Sequence, residues 1–95
     1  MATYTVRRSK HATLVANTVD TVKFSTKPKT IEVRNLDSTA VIFFRSDGDV
    51  PTVSGDDTDR LSPGERLEID GTSVDPPQVQ LISSGTPAYS VRAVG

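Results

Sequence analysis

A single histidine, twelve acidic residues and no cysteine limit the chemistry this 95-residue chain can carry. His11 has no carboxylate near it in sequence, and thiolate or mixed His/Cys metal sites lack their ligands altogether. It reads as a surface histidine in a basic stretch. All three residue types of a Ser-His-Asp triad are present, but no Gly-x-Ser-x-Gly elbow holds a nucleophile. Ser62-Pro63-Gly64 has one glycine where a phosphate loop needs several and a lysine. Asp47, Asp49, Asp56, Asp57 and Asp59 form an oxygen-rich set that calcium favours. The EF-hand register is not met after Asp47-Gly48-Asp49, and the same residue types make tight turns in a solvated loop. Turns are therefore the preferred reading and calcium the alternative. No enzyme, no cofactor and no metal centre is expected.

Two patterns point to contacts instead. Val41-Ile42-Phe43-Phe44 is apolar at every position. In a strand, neighbours face opposite sides, so both faces need cover. With Phe43 assigned inward, Ile42 and Phe44 are the outward pair and the expected self-association surface. The competing expectation, and the simpler one, is that residues 46–60 or another element of the same chain fold over that second face. The other pattern is charge. Residues 1–46 carry eight basic and three acidic side chains, a net +5, whereas residues 47–95 carry three basic and nine acidic, a net −6. Segregated in space, the halves make a dipole; interleaved, they cancel. Arg7, Arg8 and Lys10 concentrate the positive end. The overall net charge of −1 and five aromatics argue against direct nucleic-acid binding.

The elements that position these groups are strands. Val and Thr number twelve each, and β-branched residues suit a pleated surface. Alternation marks strands at residues 4–6, 12–16, 19–25, 30–34, 39–45, 66–70, 78–83 and 88–94. Turn chemistry separates them: Asn17-Thr18, Lys27-Pro28-Lys29, Asn35-Leu36-Asp37-Ser38, Ser62-Pro63-Gly64-Glu65, Asp70-Gly71, Pro76-Pro77 and Ser84-Gly85-Thr86-Pro87. The fourth of those strands is expected to form a hairpin with the fifth, and the last two with each other. Residues 46–60 read as a long surface loop. No run approaches the length of a membrane helix, and no secretory signal is visible. The expected fold is all-β: an antiparallel β-sandwich or jelly-roll-like domain of seven or eight short strands. Its expected core is Val22, Phe24, Ile31, Val33, Phe43, Leu67, Ile69, Val79, Leu81 and Val91. Residues 1–11 are expected to be an arm that is mobile when free, with 12–95 as the single domain.

Several stretches resemble small virion proteins of tailed bacteriophages, especially those of actinobacterial hosts. They are Ile31-Glu32-Val33-Arg34-Asn35, the run from Ala40 through Phe43-Phe44 to Asp47-Gly48, Pro51-Thr52-Val53, Gly55-Asp56-Asp57-Thr58, and the ending Val79-Gln80-Leu81 through Ser84-Gly85-Thr86-Pro87 to Val91. The resemblance covers about residues 14–94; the basic N-terminus and the turn at 27–29 lie outside its pattern. It implies a structural role: a capsid decoration protein that clamps the major capsid protein, often as a trimer, on a virion assembled in the host cytoplasm. The rival classes are a tail or head–tail connector protein and a carbohydrate-binding adhesion module. The expected contact residues are Ile42, Phe44, Arg7, Arg8 and Lys10.

Overall fold

The alternating sequence is read out as nine strands in the computed structural model, which describes residues 2–71 and 75–94. They are β1 (Ala2–Val6), β2 (Ser9–Thr13), β3 (Asp20–Phe24), β4 (Thr30–Asn35), β5 (Ile42–Arg45), β6 (Asp59–Leu61), β7 (Arg66–Asp70), β8 (Gln78–Ile82) and β9 (Ala88–Val94). Met1, residues 72–74 of the loop expected after Gly71, and Gly95 lie outside the described residues.

The pairing is nested. β5 pairs with β6, β4 with β7, β3 with β8 and β2 with β9, all antiparallel. One long double strand, bent over on itself, gives that order. β9 also pairs with β4, and β8 with β5. The result is two sheets, ordered β1-β3-β8-β5-β6 and β2-β9-β4-β7, packed face to face. This is the eight-strand winding of a jelly roll, with β1 added at one edge. β1 runs parallel to β3 and is the exception to the antiparallel pattern.

Inward side chains from both sheets fill the space between them. Val22, Phe24, Ile31, Val33, Val79, Leu81 and Val91 are buried as expected, joined by Leu14, Ile42, Phe44, Leu61 and Tyr89. Burying each large side chain contributes roughly 1.5–3 kcal/mol. Buried polar side chains tie the crossovers at one end. Asn35 donates through Nδ2 to the Ala40 carbonyl at 2.8 Å and the Leu61 carbonyl at 3.1 Å. Its Oδ1 accepts from the Asp37 amide at 2.9 Å. Ser83 Oγ donates to the Val41 carbonyl at 2.6 Å. The Ser62-Pro63-Gly64-Glu65 turn closes with the Glu65 amide on the Ser62 carbonyl at 2.9 Å. Gly64 supplies its φ of 77°, a conformation that favours glycine.

Four expectations are corrected. Ile42 and Phe44 point inward, 0% exposed, and Phe43 faces outward and is half-buried. The apolar run Val41 to Phe44 hides the sign of the alternation, but Arg45 shares the face of Phe43 and marks it as the outer one, and the pairing sets Leu61 opposite Ile42 and Leu81 opposite Phe44. The cover for the outer face comes, as the competing expectation had it, from the segment after β5, which folds back over its own sheet. Gln80 Nε2 donates to the Gly48 carbonyl at 3.0 Å, and Pro51 is buried. Leu67 is 36% exposed because β7 is a sheet edge, where inward side chains reach the rim. Neither expected hairpin forms: β4 to β5 and β8 to β9 each cross from one sheet to the other. The arm is also absent. Residues 2–6 join the five-stranded sheet and residues 9–13 the four-stranded one, with Tyr4, Val6 and Ala12 packed against the core. A ladder on one side of β1 holds what two isolated apolar side chains could not.

Candidate functional site

Apolar side chains pack between the two sheets, and the cleft described here lies on the surface at one end of the sandwich. The cleft of interest sits where the turn between β1 and β2 meets the turn between β3 and β4. β1 and β2 belong to different sheets, so Arg7 and Arg8 bridge the end of the sandwich. The backbone there is pinned from both sides. The Val6 carbonyl accepts from the Ser25 amide at 2.9 Å and the Arg8 carbonyl from the Ala93 amide at 2.6 Å. Thr26 Oγ1 donates to the Arg7 carbonyl at 3.3 Å. With their main chain fixed, both guanidinium groups project outward, and both residues are exposed.

The facing wall is the turn between β3 and β4. Pro28 is buried, and the Gly71 amide donates to the Lys29 carbonyl at 3.1 Å. A Cβ on Gly71 would stand 2.3 Å from the Pro28 carbonyl oxygen, so only glycine allows this approach. Arg7, Arg8, Thr26, Lys27, Pro28 and Ala93 together line a cleft of about 490 Å³. Lys27 lies 3.9 Å from Asp75, with both side chains largely exposed, a contact of little worth in water. Among the described residues, neither Arg7 nor Arg8 has a carboxylate partner. Three cations on one cleft favour an anionic ligand, and planar guanidinium forks match carboxylates bidentately.

Of the five expected contact residues, only Arg7 and Arg8 come together, and Lys27 joins them. Lys10 is spent elsewhere: its Nζ lies 4.1 Å from the Tyr4 ring centroid, across the mouth between β1 and β2. Ile42 and Phe44 are core. Lys27 was readable only as a turn residue, because its nearness to Arg7 depends on the parallel pairing of β1 with β3.

The charge halves partly interleave. On the outer face of the four-stranded sheet, Glu32 is almost fully buried beneath two arginines. Arg92 Nε reaches its Oε1 at 3.2 Å and Arg66 Nη1 its Oε2 at 3.1 Å. Here the acidic side chain comes from the basic half of the sequence and both arginines from the acidic half. His11 is exposed on the same face, opposite Ser90.

The aspartate-rich loop is occupied by its own cation. Arg45 Nε donates to Asp47 Oδ1 at 3.0 Å, and its Nη2 reaches Asp49 Oδ2 at 3.3 Å. The Arg45 hydrogen bond, aided by the Asp49 amide, holds the Asp47 carboxyl down to about 2. No three His, Asp or Glu side chains converge as metal ligands among the described residues. Asp37 is likewise held low, by the Ala40 amide first and the Thr39 amide second. Inside the sandwich, Tyr89 donates its hydroxyl to Asp20 Oδ2 at 2.9 Å. Burial, and then that hydrogen bond, pushes the Tyr89 phenol well above its ordinary range.

No protein-family model matches the chain, and no curated protein does. A solved structure does match: the solution NMR structure of a de novo designed double-stranded β-helix. It is 22% identical, with a TM-score of 0.61 over 92% of this chain and 99% of that one, and the likeness is one of fold.

Proposed function

We propose that the chain is a non-catalytic structural protein of a virion, which decorates a tailed-phage capsid by binding the major capsid protein. The observation that carries this reading is the Arg7–Arg8–Lys27 cleft, whose two arginines have no carboxylate partner among the described residues, on the surface of a jelly roll with an apolar core. Such a molecule offers a surface held in place by two paired sheets. The resemblance of residues 14–94 to small virion proteins supplies the class of partner. Carboxylates on the capsid surface meet the cleft, which orients the domain and fixes its register. Self-association as a trimer belongs to the same reading, without Ile42 and Phe44 as its contacts.

Co-sedimentation with capsid shells tests it. The wild type should occupy the shells, with occupancy falling as salt rises. Replacing Arg7, Arg8 and Lys27 by Gln together should leave the melt unchanged and weaken binding, with a flatter salt dependence. Full occupancy by the triple variant would remove the cleft from the contact, and absence of wild-type binding would remove the capsid.

A further inference from the structure

The jelly roll has four sheet edges, and three of them carry devices that discourage pairing. β6 has only three residues, two of them charged. β7 presents Arg66, Glu68 and Asp70 within five residues. β2 carries Lys10 turned inward over Tyr4. β1, Ala-Thr-Tyr-Thr-Val, has no charge and no proline, and its composition suits a strand with neighbours on both sides.

Its hydrogen-bonding groups can be assigned. The Val6 carbonyl points to the β3 side, where the Ser25 amide donates to it. A strand repeats every two residues, so the groups of Ala2 and Tyr4 share that side. The N–H and C=O groups of Thr3 and Thr5 face the open edge. Beyond the end of this edge, one residue past Val6, the arginine cleft begins.

We propose that the free edge of β1 accepts an extended segment of a protein partner as an added antiparallel strand, whose preceding carboxylates enter the Arg7–Arg8–Lys27 cleft. The inference deepens the docking role given above and rests on it. Antiparallel pairing is the stronger geometry, and it places the residues before the incoming strand beside Arg7. Charge selects the occupant. A second copy offering its own Ala2–Val6 brings no acidic side chain to the cleft, whereas an acidic segment supplies the carboxylates that Arg7 and Arg8 lack and competes with Asp75 for Lys27.

Amide exchange of the 15N-labelled protein tests this, with the peptide Asp-Glu-Asp-Thr-Val-Thr-Val-Thr as probe. At saturation the Thr3 and Thr5 amides should exchange at least about tenfold more slowly, while those of Tyr4 and Val6 stay unchanged. A peptide with three Lys in place of the acids should bind at least about tenfold more weakly. So should the acidic probe to Thr5→Pro, which removes an outward N–H and spares the ladder to β3. Shifts at Arg7 and Arg8 without protection of Thr3 and Thr5 would overturn strand addition and leave the cleft as a purely ionic contact. Absence of any binding would overturn it as well. Protection that grows with protein concentration alone would assign the edge to a second copy. Failure of wild-type protein to bind capsid shells would sink the virion reading and leave the peptide result standing.

Discussion

Phe43 and Phe44 are adjacent, chemically identical and placed on opposite faces of one strand, so paired substitutions test the packing with little else changed. Phe44 is 0% exposed and lies between the sheets. Phe43 is half-buried on the outer face, flanked by Arg60 on β6 and Ile82 on β8. Truncating a fully buried Phe to Ala costs about 3–5 kcal/mol, since lost transfer energy and a residual cavity add. A domain of this size has an unfolding entropy of roughly 0.2 kcal/mol/K, so the Tm of Phe44→Ala should fall by about 15–25 °C. Phe43→Ala removes a ring that water already reaches in part and leaves no enclosed cavity. Its cost should be about 1 kcal/mol, or about 5 °C. Thermal melts followed by circular dichroism give both values, and urea unfolding checks that the slope is unchanged. Equal losses, or a larger loss for Phe43→Ala, would refute the register of β5 and with it the nested pairing.

Three further outcomes follow from named contacts. Tyr89→Phe deletes the hydroxyl that serves the buried Asp20 carboxylate, and should cost about 1–3 kcal/mol in urea unfolding at pH 7. An unchanged midpoint would mean that Asp20 finds other partners. Asp47 has a depressed pKa, so its contribution to stability is fully present above the ordinary carboxylate range and is lost as pH falls toward about 2. A carboxyl NMR titration should give that low midpoint, and Arg45→Gln should raise it toward the normal range, with the Asp49 amide still holding it somewhat below. Gly71→Ala drives a methyl against the Pro28 carbonyl and should destabilise by about 1–3 kcal/mol. A neutral result would show that the turn bearing Lys27 is free to move.

Much of the fold was legible because most strands carry apolar side chains on one face only. Ile31 and Val33 alternate with Glu32 and Arg34, and such a strand can lie only one way round. β5 was misassigned although Arg45, two residues from Phe43 and so on its face, marks that face as the outer one; the all-apolar run Val41 to Phe44 masks this cue unless the strand is followed to its charged end. The two misassigned hairpins share a cause. Turn residues such as Asn35 to Ser38 show that the chain reverses but not whether it stays in its sheet, and that choice depends on the distant partners β9 and β7. The N-terminal strand is hard to see in the sequence because its two apolar side chains are a weak signal, and what holds it is the backbone ladder that β3 supplies. The cleft was half legible. Adjacent Arg7 and Arg8 were visible as a basic pair, whereas Lys27 arrives through a parallel pairing that no local pattern records. Lys10 looked equivalent to the arginines until Tyr4, six residues earlier, proved to sit beneath it.

Copy number in purified particles is the most direct measure of the central claim that this jelly roll decorates a capsid. Quantitative mass spectrometry against the major capsid protein should find hundreds of copies per particle. Six or twelve copies would place the chain in a connector ring, and absence from the particle would contradict the account.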